Sequence, residues 1–232
     1  MSDQKKEYFG LPRKDIHAGE IHRHIDRIQK EFSDGFKCLE KYPRSVTIFG
    51  SSMAARDSEH YKSAEAVARA IVTDLGYTVI TGGGPGIMEA SSKGAKEAGG
   101  QSVGLSIHLP HEKGNNEYLT DNVYFTYFFT RKTMLTFAAE AYVFMPGGFG
   151  TFDELFNILT LIQTEKIPHV PIILFNSEFW TDFMKYIKDK MLMTYHTIDF
   201  EDLELFKIVN TPEEVVDIVR HSPVSDWWRN IN

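Results

Sequence analysis

Residues 78–98 read TVITGGGPGIMEASSKGAKEA. A short β-branched and apolar run, Thr78–Thr81, enters Gly82-Gly83-Gly84-Pro85-Gly86, and a helix rich in small residues follows to Ala98, where Gly99-Gly100 stops it. A strand that turns through glycines straight into a helix is half of a βαβ unit. The same grammar returns at 142–164, YVFMPGGFGTFDELFNILTLIQT. There the strand Tyr142–Met145 passes through Pro146-Gly147-Gly148-Phe149-Gly150 into a helix over Thr151–Thr164, with Leu155, Ile158, Leu159 and Ile162 on one face.

The flanking chain repeats the alternation. Val46–Phe49 reads as a buried strand, Tyr61–Leu75 as a helix ended by Gly76, and Ser102–Ile107 as a strand. A polar loop over 108–121 leads to a short extended Val123–Phe125 and a helix over Arg131–Ala139. Ile172–Phe175 is a strand, Phe179–Leu192 a helix, Phe206–Val209 a last strand and Thr211–Arg220 a last helix. Strands that are apolar throughout, not alternately, are buried on both faces. The expectation is one Rossmann-like, doubly wound parallel α/β sheet with an added N-terminal helix over Asp15–Cys38, whose apolar stripe is Ile21, Ile25, Ile28 and Phe32. Ligands of such sheets sit beyond the carboxyl ends of the strands.

Composition narrows the function classes. The 232 residues carry 25 Lys+Arg against 32 Asp+Glu, a net charge of −7, which argues against tracking a nucleic-acid backbone. Residues 1–45 hold ten basic and eight acidic residues, a balance that suits a solvated surface and not a basic arm. The lone Cys38 excludes an internal disulfide and a cysteine zinc cage. No apolar run approaches the ~20 residues of a membrane span. The opening MSDQKKEYFGLPRKD lacks the apolar core of a signal peptide, so a cytoplasmic location is expected.

Two glycine loops before two helix starts suit a phosphate, because glycine lets backbone approach and the helix end offers free N–H groups. No Walker A motif is present. Ile87 stands where a dinucleotide fingerprint needs its third glycine, and no acid is placed for a ribose hydroxyl, so a mononucleotide or other small phosphate is favoured over NAD. Thr151-Phe-Asp-Glu154 also fits a capping box, as does Thr211-Pro-Glu-Glu214, which has no glycine loop. Composition therefore leaves Glu154 open between cap and catalyst.

GGGPGIMEA at 82–90, RKTML at 131–135 and PGGFGTFDE at 146–154 resemble the LONELY GUY family, also labelled lysine decarboxylase-like. The order of elements matches from about Val46 to Thr164. The resemblance implies hydrolysis of the N-glycosidic bond of a nucleoside 5′-monophosphate, a cytokinin riboside monophosphate or AMP-like substrate, to free base and ribose 5-phosphate. It implies Arg131 and Glu154 as catalytic residues. Gly82, Gly83, Gly84, Gly86, Gly147, Gly148, Gly150 and Thr151 then bind substrate, joined by Met88 and Lys132. Met88 and Met134 are open between base contact and core, and Lys132 between phosphate contact and solvent.

Residues 1–45 become an extension and 46–232 the catalytic domain. The family implies a homodimer or higher homo-oligomer, and the aromatic segment 124–129 beside the small-residue helix 87–98 offers apolar surface for it. No cofactor and no metal are called for. A lysine decarboxylase needs a pyridoxal phosphate lysine, and none is singled out here.

The sequence departs from many plant members at Asp153 and at Glu89, which puts the preferred base in question more than the bond cleaved. His22-x-His24 lie on different helix faces, and His108, His111 and Glu112 share the polar loop with Asn115 and Asn116, near the mouth of the site or on ordinary surface. Tyr127-Phe128-Phe129 reads as core and interface, Asp199–Glu204 as a solvated acidic loop, and Trp227-Trp228 as packing for the tail. The competing class is a non-catalytic nucleotide or phosphorylated-cofactor carrier, which needs the glycine cradle but no carboxylate at the sugar.

Overall fold

The computed structural model describes residues 18–107 and 114–222. His108, His111, Glu112 and the Trp227-Trp228 pair lie outside the described residues. Chain order runs α1 (Ala18–Leu39), β1 (Ser45–Phe49), α2 (Glu59–Ala70, continued by a π-helical turn Ile71–Leu75), β2 (Thr78–Thr81), α3 (Ile87–Glu97), β3 (Ser102–Ile107) and β4 (Asp121–Phe125). It continues with α4 (Phe128–Phe137), β5 (Ala141–Phe144), α5 (Phe149–Gln163), β6 (Ile172–Phe175), α6 (Ser177–Tyr186, continued by a π-helical turn Ile187–Leu192), β7 (Phe206–Val209) and α7 (Pro212–Arg220). The seven strands of the described residues are all parallel, in the order β4-β3-β2-β1-β5-β6-β7. This is the doubly wound Rossmann-like sheet. Its order reverses between β1 and β5, and that break opens a crevice at the carboxyl edge.

Two cores follow from the period of two along each strand. Tyr142, Phe144, Ile172 and Leu174 face one layer with Met134, Leu155, Ile158 and Trp180, joined by Cys38 and Leu39 of α1. Ala141, Val143, Ile173 and Phe175 face the other, against Ala64, Val67, Ala90, Val215 and Val219 of α2, α3 and α7. Fully burying one Leu- or Ile-sized side chain contributes roughly 1.5–3 kcal/mol. The Trp180 indole, wholly buried, donates to the Phe144 and Phe175 carbonyls at 3.2 and 3.1 Å and so ties the carboxyl ends of β5 and β6.

Three expectations change. The stripe on α1 is covered only in its second half: Ile21 and Ile25 are 44% and 54% exposed. The segment Tyr127–Phe129 is not core; α4 begins at Phe128, three residues earlier than expected, and Phe128 and Phe129 face outward. The small-residue helix α3 offers no free apolar face either, because Ala90 and Ala95 are buried and Gly94 lies against the Glu65 carbonyl of α2. Among the described residues no helix is long and apolar enough to cross a membrane.

Candidate active site

A cavity of about 370 Å³ opens at the break between β1 and β5. Of the residues singled out in the sequence, Gly82, Met88, Arg131, Gly148, Gly150, Thr151 and Glu154 line it. Gly83, Gly84, Gly86, Gly147 and Lys132 do not.

The loop after β2 is held by backbone. Gly86 has φ +68°, and a Cβ there would come within 2.6 Å of the Ser52 carbonyl carbon. The Ile87 N–H, first of α3, is taken by the Ser51 carbonyl at 2.9 Å. Asn116 braces the same loop, its amide donating to the Gly83 and Gly84 carbonyls at 3.0 and 3.1 Å. Gly82 leaves room for Arg131, since a Cβ there would run into the guanidinium and stand 2.8 Å from Met88 Sδ.

The loop after β5 is different. Helix α5 starts at Phe149, two residues earlier than expected, with extended Gly148 at its cap and no side chain satisfying its N-terminus. The first N–H groups of a helix have no intrahelical acceptor. Those of Phe149, Gly150 and Thr151, all residues of the cavity lining, are left without a side-chain cap, an arrangement that suits an anion. Thr151 packs on Gly147, where no Cβ fits.

This start overturns the capping-box reading of Glu154. Thr151 is the third helical residue, not the cap, and Glu154 lies a turn further in. The comparison within the chain is direct. At Thr211 the box forms in full: the Thr211 hydroxyl accepts from Glu214 N–H at 3.3 Å, and the Glu214 carboxylate accepts from Thr211 N–H at 3.0 Å. Glu154 has no such role. It is 8% exposed, and its Oε2 has no hydrogen-bond partner among the described residues. Burial pushes its carboxyl up to about 7, against the opposing pull of Lys132 and Arg131 and with Asp153 adding to the rise. A buried carboxyl poised near neutrality beside a cavity is the usual mark of an acid–base group.

Arg131, on α4, donates from Nε to the Leu105 carbonyl at 2.7 Å, which fixes its guanidinium against the second half of β3. Lys132 pairs with Asp153 at 2.5 Å and donates to the Asp153 carbonyl at 3.3 Å. Met134 is core and Met88 is cavity wall. The sequence reading missed the β1 side: Gly50, Ser51, Ser52 and Met53 form the opposite wall, with Phe128 and the 96% exposed Phe149 at the mouth. The signal was present in Gly50-Ser51-Ser52, a glycine turn directly after a strand, but its place beside β5 is set by sheet order.

A family model described as "Possible lysine decarboxylase" matches residues 88–219. The chain belongs to that family, the LONELY GUY family its motifs resemble. The cytokinin riboside 5′-monophosphate phosphoribohydrolase of Rhodococcoides fascians is 28% identical over 152 residues, 63% of this chain and 75% of that one. The cytokinin riboside 5′-monophosphate phosphoribohydrolase LOG2 of Arabidopsis thaliana is 25% identical over 148 residues, 63% of this chain and 69% of its own length. The solved molybdenum cofactor carrier protein of Chlamydomonas reinhardtii has a TM-score of 0.55 and 19% identity, over 76% of this chain and 96% of that one, a likeness of fold alone.

Proposed function

We propose that this chain hydrolyses the N-glycosidic bond of a nucleoside 5′-monophosphate, a cytokinin riboside monophosphate or AMP-like compound, releasing free base and ribose 5-phosphate. The observation that carries the reading is Glu154: buried, without a capping role, and facing the cavity one turn from an unsatisfied helix N-terminus. In this reading the phosphate dianion sits on the N–H groups of Phe149, Gly150 and Thr151. The sugar then lies over Glu154. Breaking the C1′–N bond leaves positive charge on the ribose, which the carboxylate stabilises. Water adds at C1′, its proton passing through Glu154 to the departing base nitrogen. Arg131 orients the carboxylate or the sugar oxygens through its rigid fork. The scheme requires no Schiff-base lysine.

The test is incubation with a panel of nucleoside 5′-monophosphates, following free base and ribose 5-phosphate; intact recovery of every nucleotide would remove the reading. A pH profile adds a sharper check. Below about 7 Glu154 is protonated and carries no negative charge to stabilise the sugar. kcat/KM is therefore expected to rise with pH through an apparent pKa near 7 and level off above it. That limb should be absent from the residual activity of Glu154→Gln. A profile that falls across this window would give Glu154 the opposite, acid role.

We also read the chain as a homodimer at least. Tyr124, Phe128 and Phe129, with Ile21 and Ile25 of α1, are exposed apolar side chains, and Phe128 also lines the cavity. Sedimentation at micromolar concentration is expected to give twice the 26.5 kDa chain mass; a monomer throughout would refute it.

A further inference from the structure

The added helix α1 holds the first turn of α4, and α4 carries Arg131. Glu31, only 3% exposed, accepts from the Thr126 N–H at 2.8 Å, the Tyr127 N–H at 3.4 Å and the Thr130 hydroxyl at 2.6 Å. One turn earlier Arg27 donates to Glu31 at 3.2 Å and to the Thr126 hydroxyl at 2.7 Å. A further turn back, His24 is hydrogen-bonded to the Tyr127 hydroxyl. His24, Arg27 and Glu31 share one face of α1, at spacings of three and four.

Helix α4 has no cap of its own, since Tyr127 stands at the cap position and its side chain makes no capping bond. A carboxylate from another helix instead ties the two residues just ahead of α4, through the Thr126 and Tyr127 N–H groups, and the Thr130 side chain in its first turn, where negative charge also suits the helix dipole. Burial opposes that charge, yet the bonds from Thr130, Thr126 and Arg27 outweigh it and hold the Glu31 carboxyl below its ordinary value. Further along, α1 and α4 meet without slack: a Cβ on Gly35 would lie 2.7 Å from Met134 Cγ. The two helices are thus fixed at two points on either side of Arg131.

We propose that Glu31 is a positioning residue: by fastening the first turn of α4 it sets where the Arg131 guanidinium stands in the cavity, so the N-terminal helix is part of the site. The claim rests on the functional reading above wherever turnover is the measurement. Displacing a catalytic group by about 1 Å costs up to on the order of 100-fold in rate.

The experiment compares Glu31→Gln and Thr130→Val with Thr130→Ser, which keeps the hydroxyl, in both the native and the Arg131→Ala backgrounds. Turnover of the best 5′-monophosphate is measured well below each melting temperature. In the native background Glu31→Gln and Thr130→Val are expected to lose roughly 10–100-fold, with Thr130→Ser close to the native chain. In the Arg131→Ala background the same changes should cost less than about twofold, because residues acting through one another are not additive. A second readout needs no substrate: exchange of the Arg131 Nε–H, followed by ¹⁵N NMR, should speed up about tenfold or more in both variants as its bond to Leu105 loosens. Equal losses in both backgrounds, or an unchanged Arg131 N–H in folded variants, would overturn the proposal. If the native chain turns over no nucleotide, the functional reading fails, and the exchange measurement alone decides the positioning role.

Discussion

Glu154→Gln is expected to lower turnover of a nucleoside 5′-monophosphate by on the order of 10²–10⁴-fold, the usual contribution of a placed acid–base group. Nucleotide binding should persist, because in the proposed scheme the phosphate rests on backbone N–H groups. The same variant should be more stable than the native chain at high pH, and the sign can be worked through. The folded-state carboxyl titrates near 7 against an ordinary value of 4.5, so the folded chain holds a proton that the unfolded chain releases. Stability from this group therefore falls as pH rises from 4.5 to 7, and the full cost applies above that window. The shift corresponds to about 3 kcal/mol. A buried glutamine keeps part of the desolvation cost, so a gain of about 1–2 kcal/mol is expected, roughly 2–8 °C in melting temperature at pH 8. At pH 5 most of that gain should vanish. A variant that loses activity and stability together at pH 8 would mean that Glu154 supports the helix and not the chemistry.

The second large effect concerns the substrate. AMP is expected to exceed adenosine in kcat/KM by roughly 10²–10⁴-fold. Even two of the three N–H groups of Phe149, Gly150 and Thr151, at about 1.5–3 kcal/mol per charge-assisted bond, give roughly 3–6 kcal/mol, and each 1.4 kcal/mol is tenfold. This remote binding energy is available at the reacting bond only when the dianion is present. Equal values for nucleotide and nucleoside would sink the assignment of the α5 N-terminus as the phosphate site. Steady-state kinetics on the matched pair settles the point.

Four strands are legible because each is a short, mostly apolar run stopped by glycine or a polar residue: Thr78–Thr81, Ser102–Ile107, Ile172–Phe175 and Phe206–Val209 stand where the sequence puts them. Helix starts were less so. Thr151 and Thr211 carry the same four-residue pattern, but only Thr211 is followed by a proline that fixes the first helical residue, and only there does the box form. At the other site extended Gly148 lets the helix begin early, which moves Glu154 inward and frees the N–H groups. The β1 wall of the cavity was not legible, since Gly50–Met53 owes its role to β1 lying beside β5, a fact of sheet order. The periodic stripe on α1 told which residues share a face but not what covers them. Ile21 and Ile25 remain exposed while Cys38 and Leu39 reach the core. Glu31 gave no local signal of its role, because Thr126, Tyr127 and Thr130 lie about a hundred residues away and its one near partner, Arg27, makes an ordinary i,i+4 pair.

The most direct test of the central claim is a count of products per chain at pH 8, with AMP and the other 5′-monophosphates each in large excess. The native chain is expected to release free base and ribose 5-phosphate in equal amounts, many equivalents per chain, with at least one nucleotide of the panel. One nucleotide held intact per chain, with no base released from any of them, would contradict the account and identify a carrier built on the same fold.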